Sequence, residues 1–211
     1  MKNLLLTSSG SFITRFDIKE FDKPLKEMRM AYITTASKKV NDISYLKKHI
    51  TEMDKQGYDY EEIDICGKNE NELKKIFKNK EVIYVEGGNT FYLLKCVKES
   101  GFEKVIKELI NKGVIYIGSS AGTYIACPTI EIADKAHEED RHDKSGIKDY
   151  TAMNLVPFLI KAHYSPKEKN QLTKKLKNTK YPVKLLTNDQ AILIQNDNIK
   201  FLGNGKIDSL Q

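Results

Sequence analysis

The sequence predicts an α/β protein in which a mostly parallel sheet is flanked by helices. Short apolar runs, at residues 4–6, 82–85 and 114–117, alternate with stretches whose apolar residues recur at helical spacing. The run at 114–117 is apolar throughout, and its residues are β-branched or aromatic, which is typical of a strand covered on both faces. Strands and helices that alternate at this spacing favour a parallel sheet with helices on both sides.

The first part of the chain contains five predicted strands in sequence. They lie at residues 4–6, 30–34, 58–65, 82–85 and 114–117. Apolar residues at helical spacing predict helices around residues 43–53, 73–77, 93–97 and 102–110. Gly57 and Gly113 follow two of these helices and act as stop signals.

The remaining part of the chain is less regular. An extended segment is predicted over 129–133, and a charged, solvated loop over 135–149. Ser165 with Glu168 has the pattern of a capped helix start, and two or three strands are predicted over 183–201, with turns at 188–189 and 196–198. No internal repeat is evident, and the first 130 residues contain no boundary or linker, so we expect a single domain over residues 1–211.

The composition excludes several classes of protein. Of the 211 residues, 40% are hydrophobic and 30% charged, which excludes a collagen-like, disordered or disulfide-rich chain. The net charge of +6 raises the question of a nucleic-acid partner. Only three of the 35 basic residues are arginine, the usual reader of phosphates and base edges, and the lysines of 167–177 fit the solvated face of a helix. No nucleic-acid partner is therefore predicted.

The cysteines and the N-terminus bear on the compartment. Cys66, Cys96 and Cys127 are far apart in sequence and form no CxxC pair, which favours buried thiols in a reducing compartment. The apolar run near the N-terminus has three residues, too few for a signal segment, and no stretch approaches a membrane span. We expect a cytoplasmic monomer or homodimer without a membrane partner.

The most informative motif is Gly-Ser-Ser-Ala-Gly at residues 118–122. It follows the buried strand 114–117, and a helix can begin at Ala121. This is the strand–turn–helix context of a G-x-S-x-G nucleophile elbow, in which the serine occupies a strained turn and the glycines leave room for neighbouring backbone. Ser120 is the predicted nucleophile. The alternative is a chance turn of small residues at a strand end.

A second glycine motif follows the strand at 82–85. Paired glycines at 87 and 88 allow a backbone N–H to face a neighbouring ligand. In serine hydrolases one oxyanion donor is the N–H after the nucleophile, and the other comes from a loop of this kind. We predict that the amides of Gly88 and Ala121 form the oxyanion hole. The alternative is a plain turn in which Asn89 or Thr90 caps the next helix.

A serine nucleophile needs a base, and His163 is the best placed of the four histidines. It follows an apolar run and precedes the predicted helix start at Ser165, so it lies at the edge of the core. His49 is predicted on the solvated face of a lysine-rich helix, and His137 and His142 in the charged loop. A structural role for His163 is the alternative.

The third member of the triad is predicted to be a carboxylate that orients the histidine. Asp134 is preferred because it lies nearest the end of the extended segment 129–133. Glu131 and Asp140 stay open as alternatives.

Four short motifs together resemble peptidase family S51, which contains the dipeptidase E and cyanophycinase-like enzymes. They are Gly-Gly-Asn-Thr at 87–90, Gly-Ser-Ser-Ala-Gly at 118–122, Cys-Pro-Thr-Ile at 127–130 and Ala-His-Tyr at 162–164. The resemblance implies a class I glutamine-amidotransferase-like, flavodoxin-like three-layer sandwich. It also implies Ser120 as nucleophile, His163 as base, Gly88 as oxyanion donor, and neither metal nor cofactor.

The resemblance further implies cleavage after an N-terminal aspartate or in a short acidic peptide. Asn89 and Arg141, the only arginine beyond residue 29, are the candidate substrate-binding residues. The sequence departs from the family pattern at the acidic residue. In the family, this residue lies a few positions after the Pro-Thr-Ile segment, and Asp134 lies one residue from that position.

The predicted function is a serine peptidase that hydrolyses dipeptides or small peptides by a Ser-His-acid mechanism. Two alternatives stay open. One is a small serine esterase or amidase, and the other is a non-catalytic binding protein on the same scaffold.

Overall fold

A computed structural model describes residues 2–135 and 145–210 of the chain. Its main feature is a seven-stranded sheet with the order β3-β2-β4-β5-β1-β8-β9. The strands are β1 (Asn3–Thr7), β2 (Met30–Ile33), β3 (Tyr60–Ile63), β4 (Val82–Val85), β5 (Ile115–Ser119), β8 (Gln190–Gln195) and β9 (Asn198–Gly203). β1 to β5 pair in parallel, whereas β8 and β9 add an antiparallel edge.

Helices alternate with the strands along most of the chain. They are α1 (Phe12–Arg15), α2 (Ser44–Gln56), α3 (Glu70–Ile76), α4 (Thr90–Ser100), α5 (Phe102–Asn111), α6 (Ala121–Tyr124), α7 (Glu131–Lys135) and α8 (Lys169–Lys175). Short 3₁₀ turns occur at Leu25–Glu27, Thr35–Lys39 and Pro166–Glu168. Gly57 ends α2 in a left-handed conformation with φ of 74°, as the sequence predicted.

The sheet separates two hydrophobic cores. In β1, Leu4 and Leu6 face one core and Leu5 faces the other, because successive side chains of a strand point to opposite faces. The first core includes apolar residues of α4, α5 and α6, and the second includes those of α1 and α2. Helices therefore cover both faces of a mostly parallel sheet, and the predicted fold class is confirmed.

A second, three-stranded sheet lies beside the first and has the order β10-β7-β6. Its strands are β6 (Leu159–Lys161), β7 (Val183–Leu185) and β10 (Asp208–Leu210). β6 and β7 are parallel, with Lys161 opposite Leu185. The segments that follow these two strands therefore leave the sheet side by side.

One prediction about local structure needs correction, and a second is confirmed. The segment 129–133 is not extended, because Thr129 Oγ1 accepts the N–H of Glu131 and the helix α7 begins there. The capped helix start predicted at Ser165 is confirmed: Glu168 accepts the Ser165 N–H at 2.8 Å, and a 3₁₀ turn continues as α8. Most of the loop predicted over 135–149 lies outside the described residues.

The cysteine prediction was wrong for two of the three residues. Cys66, just after β3, and Cys96, in α4, form a disulfide with their Cα atoms 4.8 Å apart. The fold packs these segments together although they are 30 residues apart, so sequence spacing gave no sign of the pair. Cys127 is a buried free thiol. Among the described residues, no helix has the length and apolar character needed to cross a membrane.

Candidate active site

Ser120 occupies a strained turn between β5 and α6. Its backbone has φ of 48° and ψ of −105°, which residues with a Cβ rarely adopt. A Cβ on Gly122 would lie 2.1 Å from the carbonyl oxygen of Val85, and one on Gly118 would lie 2.6 Å from the oxygen of Gly122. The glycines of the motif are therefore required by close backbone packing, as a nucleophile elbow demands.

The end of β1 anchors this turn. The Ser120 N–H donates to the carbonyl oxygen of Thr7 at 3.2 Å. Thr123 Oγ1 lies 2.7 Å from the same oxygen and 2.8 Å from that of Gly118. The nucleophile side of the site is thus fixed by backbone groups of the central sheet.

His163 faces the serine directly. Its Nε2 lies 2.9 Å from Ser120 Oγ, which is hydrogen-bond distance. The His163 backbone has φ of 56°, and its N–H donates to Ser8 Oγ at 2.7 Å. The structure therefore brings together the predicted nucleophile and the predicted base.

The partner of the histidine is Asn188. Its Oδ1 lies 2.7 Å from Nδ1 of His163. Because an amide oxygen can only accept, Nδ1 carries the proton, and Nε2 presents its lone pair to Ser120. Ser8 Oγ lies 3.4 Å from Oδ1 of Asn188, and Arg15 donates to the backbone carbonyl oxygen of Asn188 at 2.9 Å. Asn188 therefore sets the tautomer that a general base requires.

Asn188 takes the position predicted for Asp134, and the prediction of Asp134 was wrong. Asp134 lies in α7, whereas Nδ1 of His163 contacts Asn188 because the parallel register of β6 and β7 places the segments after them together. The alternative Glu131 contacts Lys135 and Thr179, at 2.5 and 2.6 Å.

Three further residues were predicted in the site, namely Asp140, Arg141 and Asn89. Asp140 and Arg141 lie outside the described residues. Asn89 is fully buried, and its Oδ1 accepts the Tyr92 N–H at 2.9 Å as the cap of α4. A side chain without exposed surface cannot touch a substrate, so the prediction that Asn89 binds substrate was wrong.

Asn188 is the functional residue that the sequence prediction missed. The sequence predicts only a turn at residues 188–189, and the predicted third member is a carboxylate. In the structure, two parallel strands that end near His163 and Asn188 bring these residues to one edge, and no local sequence pattern gives that pairing.

The environment of His163 favours the neutral imidazole. Desolvation by the surrounding protein lowers the pKa of His163 below its usual value, and the nearby Lys161 lowers it further. The Asn188 hydrogen bond and the negative charge of Glu86 act in the opposite direction and do not outweigh these effects. A histidine with a lowered pKa is unprotonated, and hence able to accept a proton, at neutral pH.

The two predicted oxyanion donors, the amides of Gly88 and Ala121, belong to the glycine loop after β4 and to the turn that carries Ser120. A Cβ on Gly87 would lie 3.1 Å from Ser120 Cβ, so the glycine loop after β4 packs directly against the nucleophile. Gly88 has φ of 138°, and a Cβ there would lie 2.4 Å from the Ala36 oxygen. Among the described residues, neither the Gly88 nor the Ala121 amide has a hydrogen-bond acceptor. Both are therefore available to an oxyanion.

A buried polar cluster lies next to the glycine loop. Glu86 is 2% exposed, and its carboxylate contacts His49 Nδ1 at 2.8 Å and the Tyr32 hydroxyl at 2.5 Å. Burial opposes ionisation of Glu86, but the hydrogen bond and charge of His49 leave its pKa below the usual value. His49 was predicted on a solvated face, and that prediction was wrong because this carboxylate holds it in the core.

No group of three histidine, cysteine, aspartate or glutamate residues within 2–135 and 145–210 is arranged to hold a metal ion. The chemistry available at the described site is that of a hydroxyl nucleophile, an imidazole base and two amide donors.

Comparison with known proteins places this chain among peptidases. The family model for peptidase family S51 matches residues 4–202. An uncharacterized peptidase of Listeria innocua is 32% identical over 215 residues, covering 99% of this chain and 100% of the relative. One from Pasteurella multocida is 32% identical over 98% of this chain and 100% of the relative. Peptidase E of a Nostoc species is 31% identical over 78% of this chain and 66% of its own length.

Solved structures agree with the fold. A protein from Listeria monocytogenes assigned as a peptidase E superimposes with a TM-score of 0.81 and 30% identity, covering 97% of this chain and all of that one. A peptidase from an actinobacterium has a TM-score of 0.68 with 16% identity, which supports the fold alone.

Proposed function

This chain belongs to peptidase family S51 and is a peptidase, and from that premise we propose that it is a serine peptidase acting on dipeptides or other small peptides. The observation that carries the proposal is the 2.9 Å contact between Ser120 Oγ and His163 Nε2, on an elbow with two amides that have no acceptor among the described residues. A non-catalytic binding protein would have no need of a strained serine paired with an imidazole.

In the proposed reaction, His163 Nε2 takes the Ser120 hydroxyl proton as Oγ attacks the carbonyl carbon of the scissile peptide bond. The amides of Gly88 and Ala121 donate to the oxyanion. His163 then gives its proton to the leaving amine, and the acyl group stays on Ser120. Water attacks the ester, with His163 again as base, and releases the acid product.

The third residue differs from the usual carboxylate in a way that fits this scheme. The Asn188 oxygen orients the imidazole and fixes its tautomer but adds no negative charge. The imidazolium that forms during the reaction is therefore stabilised by hydrogen bonding at Nδ1, without an adjacent ion pair. The lowered pKa of His163 agrees with a base that works without a carboxylate partner.

Labelling with a fluorophosphonate tests the nucleophile. We expect the wild-type protein to be labelled on Ser120, Ser120→Ala to be unlabelled, and the matched control Ser119→Ala to keep labelling, because the Ser119 side chain is buried. Labelling that persists in Ser120→Ala, or is absent from the wild type, would reject the serine mechanism.

A dipeptide panel tests the substrate. Asp-X, Glu-X, Asn-X and Ala-X dipeptides with a common X separate the N-terminal aspartate preference implied by the family from a general dipeptidase activity. Matched aryl esters distinguish an esterase, which would cleave the esters and leave every dipeptide intact. That result would overturn the proposal that the substrates are small peptides, and Ser120 would remain the nucleophile.

A further inference from the structure

The peptide bond between Gly87 and Gly88 has a specific partner on its carbonyl side. The hydroxyl of Tyr45, in α2, donates to the Gly87 carbonyl oxygen at 3.1 Å. The N–H at the other end of this same peptide is the Gly88 amide, which the proposed function assigns to the oxyanion. One side chain thus contacts the peptide that supplies an oxyanion donor.

This contact controls where the amide points. In a planar trans peptide the C=O and N–H groups point in opposite directions, so fixing the carbonyl fixes the amide. Glycine on both sides gives the peptide unusual freedom to rotate, because neither residue has a Cβ that limits φ and ψ. A rotated peptide would direct the Gly87 oxygen, rather than an N–H, toward the nucleophile.

The neighbouring peptides have other restraints. The Gly87 N–H donates to Glu86 Oε1 at 2.7 Å, and the Asn89 N–H donates to the Ala36 oxygen at 2.9 Å. These bonds hold the loop on either side of the Gly87–Gly88 peptide. Among the described residues, the hydrogen bond to that peptide itself comes from Tyr45.

Tyr45 is partly exposed, and its hydroxyl group is protonated and can donate a hydrogen bond. Its side chain is 39% exposed, so packing alone does not account for its position. Burial of the hydroxyl end, the charge of Glu86 and that of Asp42 raise the pKa of Tyr45 above its usual value. The hydroxyl therefore keeps its proton over the working pH range of a peptidase.

We propose that Tyr45 is a positioning residue that holds the Gly87–Gly88 peptide with its N–H directed at the oxyanion. The proposal rests on the proposed serine mechanism. Hydrogen bonding at the carbonyl also polarises the amide, which strengthens the N–H as a donor. Removing an oxyanion donor costs about 100-fold to 1000-fold in rate. Because Tyr45 acts through the donor, we expect a smaller loss.

The test compares Tyr45→Phe with Tyr58→Phe. Tyr58 also donates to a backbone carbonyl, that of Ile13 at 2.7 Å, and it precedes β3, outside the glycine loop. The readout is the second-order rate of Ser120 phosphonylation by a small fluorophosphonate, whose phosphoryl oxygen occupies the oxyanion hole. We expect about a 10-fold loss for Tyr45→Phe and a rate within about twofold of wild type for Tyr58→Phe.

Two further readouts separate positioning from a structural effect. Thermal unfolding establishes that each variant is folded at the assay temperature. With a cleaved substrate, the Tyr45→Phe loss falls on kcat while KM stays within about twofold, and the acidic midpoint of the pH profile does not move, since His163 is untouched.

The outcomes are distinguishable from failure of the proposed function. A folded Tyr45→Phe that is labelled at the wild-type rate overturns the role of Tyr45 and leaves Ser120 as nucleophile. A loss confined to KM also overturns it, because Tyr45 would then contact substrate instead. A wild-type protein that is not labelled at Ser120 refutes the mechanism on which the proposal rests.

Discussion

The two sides of the site are held in place by different forces. On the nucleophile side, at the ends of β4 and β5, backbone atoms pack so closely that a Cβ on Gly122 would lie 2.1 Å from the Val85 oxygen. On the base side, beyond the ends of β6 and β7, His163 is held by hydrogen bonds to Ser8 and Asn188. The nucleophile side therefore requires glycines, which have no side-chain atoms, whereas the base side is held by side-chain hydrogen bonds.

This difference determines how each side tolerates change. Where the backbone is closely packed, an added Cβ cannot be accommodated by a small adjustment, because a carbonyl oxygen in a central strand cannot move away from it. Hydrogen bonds can be removed one at a time, and each removal leaves the others in place. Substitutions on the nucleophile side should therefore act on folding, and those on the base side on catalytic rate.

Gly122→Ala is expected to have the largest effect. The added Cβ would overlap backbone atoms of β4, so we expect the free energy of unfolding to fall by about 3 kcal/mol or more, with loss of Ser120 labelling. The control Gly57→Ala has open space for its Cβ and a φ of 74°, so it should cost about 1 kcal/mol and keep labelling. Urea unfolding and labelling measure both effects, and equal stability losses would contradict the packing argument.

The same difference explains what the sequence could predict. Gly118, Ser120 and Gly122 lie within five residues of one another, so the steric requirement of the elbow is visible as a local motif. The glycines at 87 and 88 are visible for the same reason. The parallel strands and most helices followed from the periodicity of apolar residues, which reflects burial on each face of the sheet.

The base side could not be predicted in full because its contacts are distant in sequence. Ser8 and His163 are 155 residues apart, and His163 and Asn188 are 25 apart. Which polar side chain reaches Nδ1 depends on the register of β6 and β7, and no local pattern encodes that register. The His49–Glu86 pair and the Cys66–Cys96 disulfide were missed for the same physical reason.

Asn188→Ala removes the hydrogen-bond acceptor of His163 Nδ1 on the base side. Without an acceptor at Nδ1 the imidazole loses its fixed tautomer, and we expect kcat to fall about 100-fold in a folded protein, less than the roughly 10⁴-fold known for replacing a triad aspartate by asparagine. Asp134→Ala is the matched comparison and should stay within about twofold of wild type. If Asp134→Ala had the larger effect, the assignment of Asn188 as the third residue would be wrong.

Ser8→Ala tests the backbone restraint on His163. The His163 N–H would lose its acceptor at 2.7 Å, and the positive φ of this residue would lose a stabilising contact. We expect kcat/KM to fall about 10-fold with little change in Tm, since removing one hydrogen bond costs on the order of 1 kcal/mol. Ser9→Ala removes a hydroxyl that pairs with Ser11 in the same loop and serves as the control. Equal rates for the two variants would show that the other contacts of His163 are sufficient.

The smallest expected effect is a shift of pH dependence in Asn188→Asp. Since the His163 pKa is lowered in the wild type, kcat/KM should decline in acid with a midpoint below about 6.5, as the base becomes protonated. A carboxylate beside Nδ1 favours the protonated imidazole, so it raises the His163 pKa and moves that midpoint to higher pH, by about one unit. At pH 6 the variant should therefore be less active than the wild type. Above pH 8 it should be at least as active, because the charge stabilises the imidazolium formed during the reaction.

Asn196→Asp is the control for the Asn188→Asp experiment. It adds the same charge in the turn at the other end of β8, about 20 Å away along a six-residue strand. A midpoint that moves equally in both variants would indicate an effect of net charge alone. A midpoint that moves only in Asn188→Asp would locate the titrating base at the histidine that Asn188 contacts. It would also show that the base side, unlike the elbow, can be adjusted one interaction at a time.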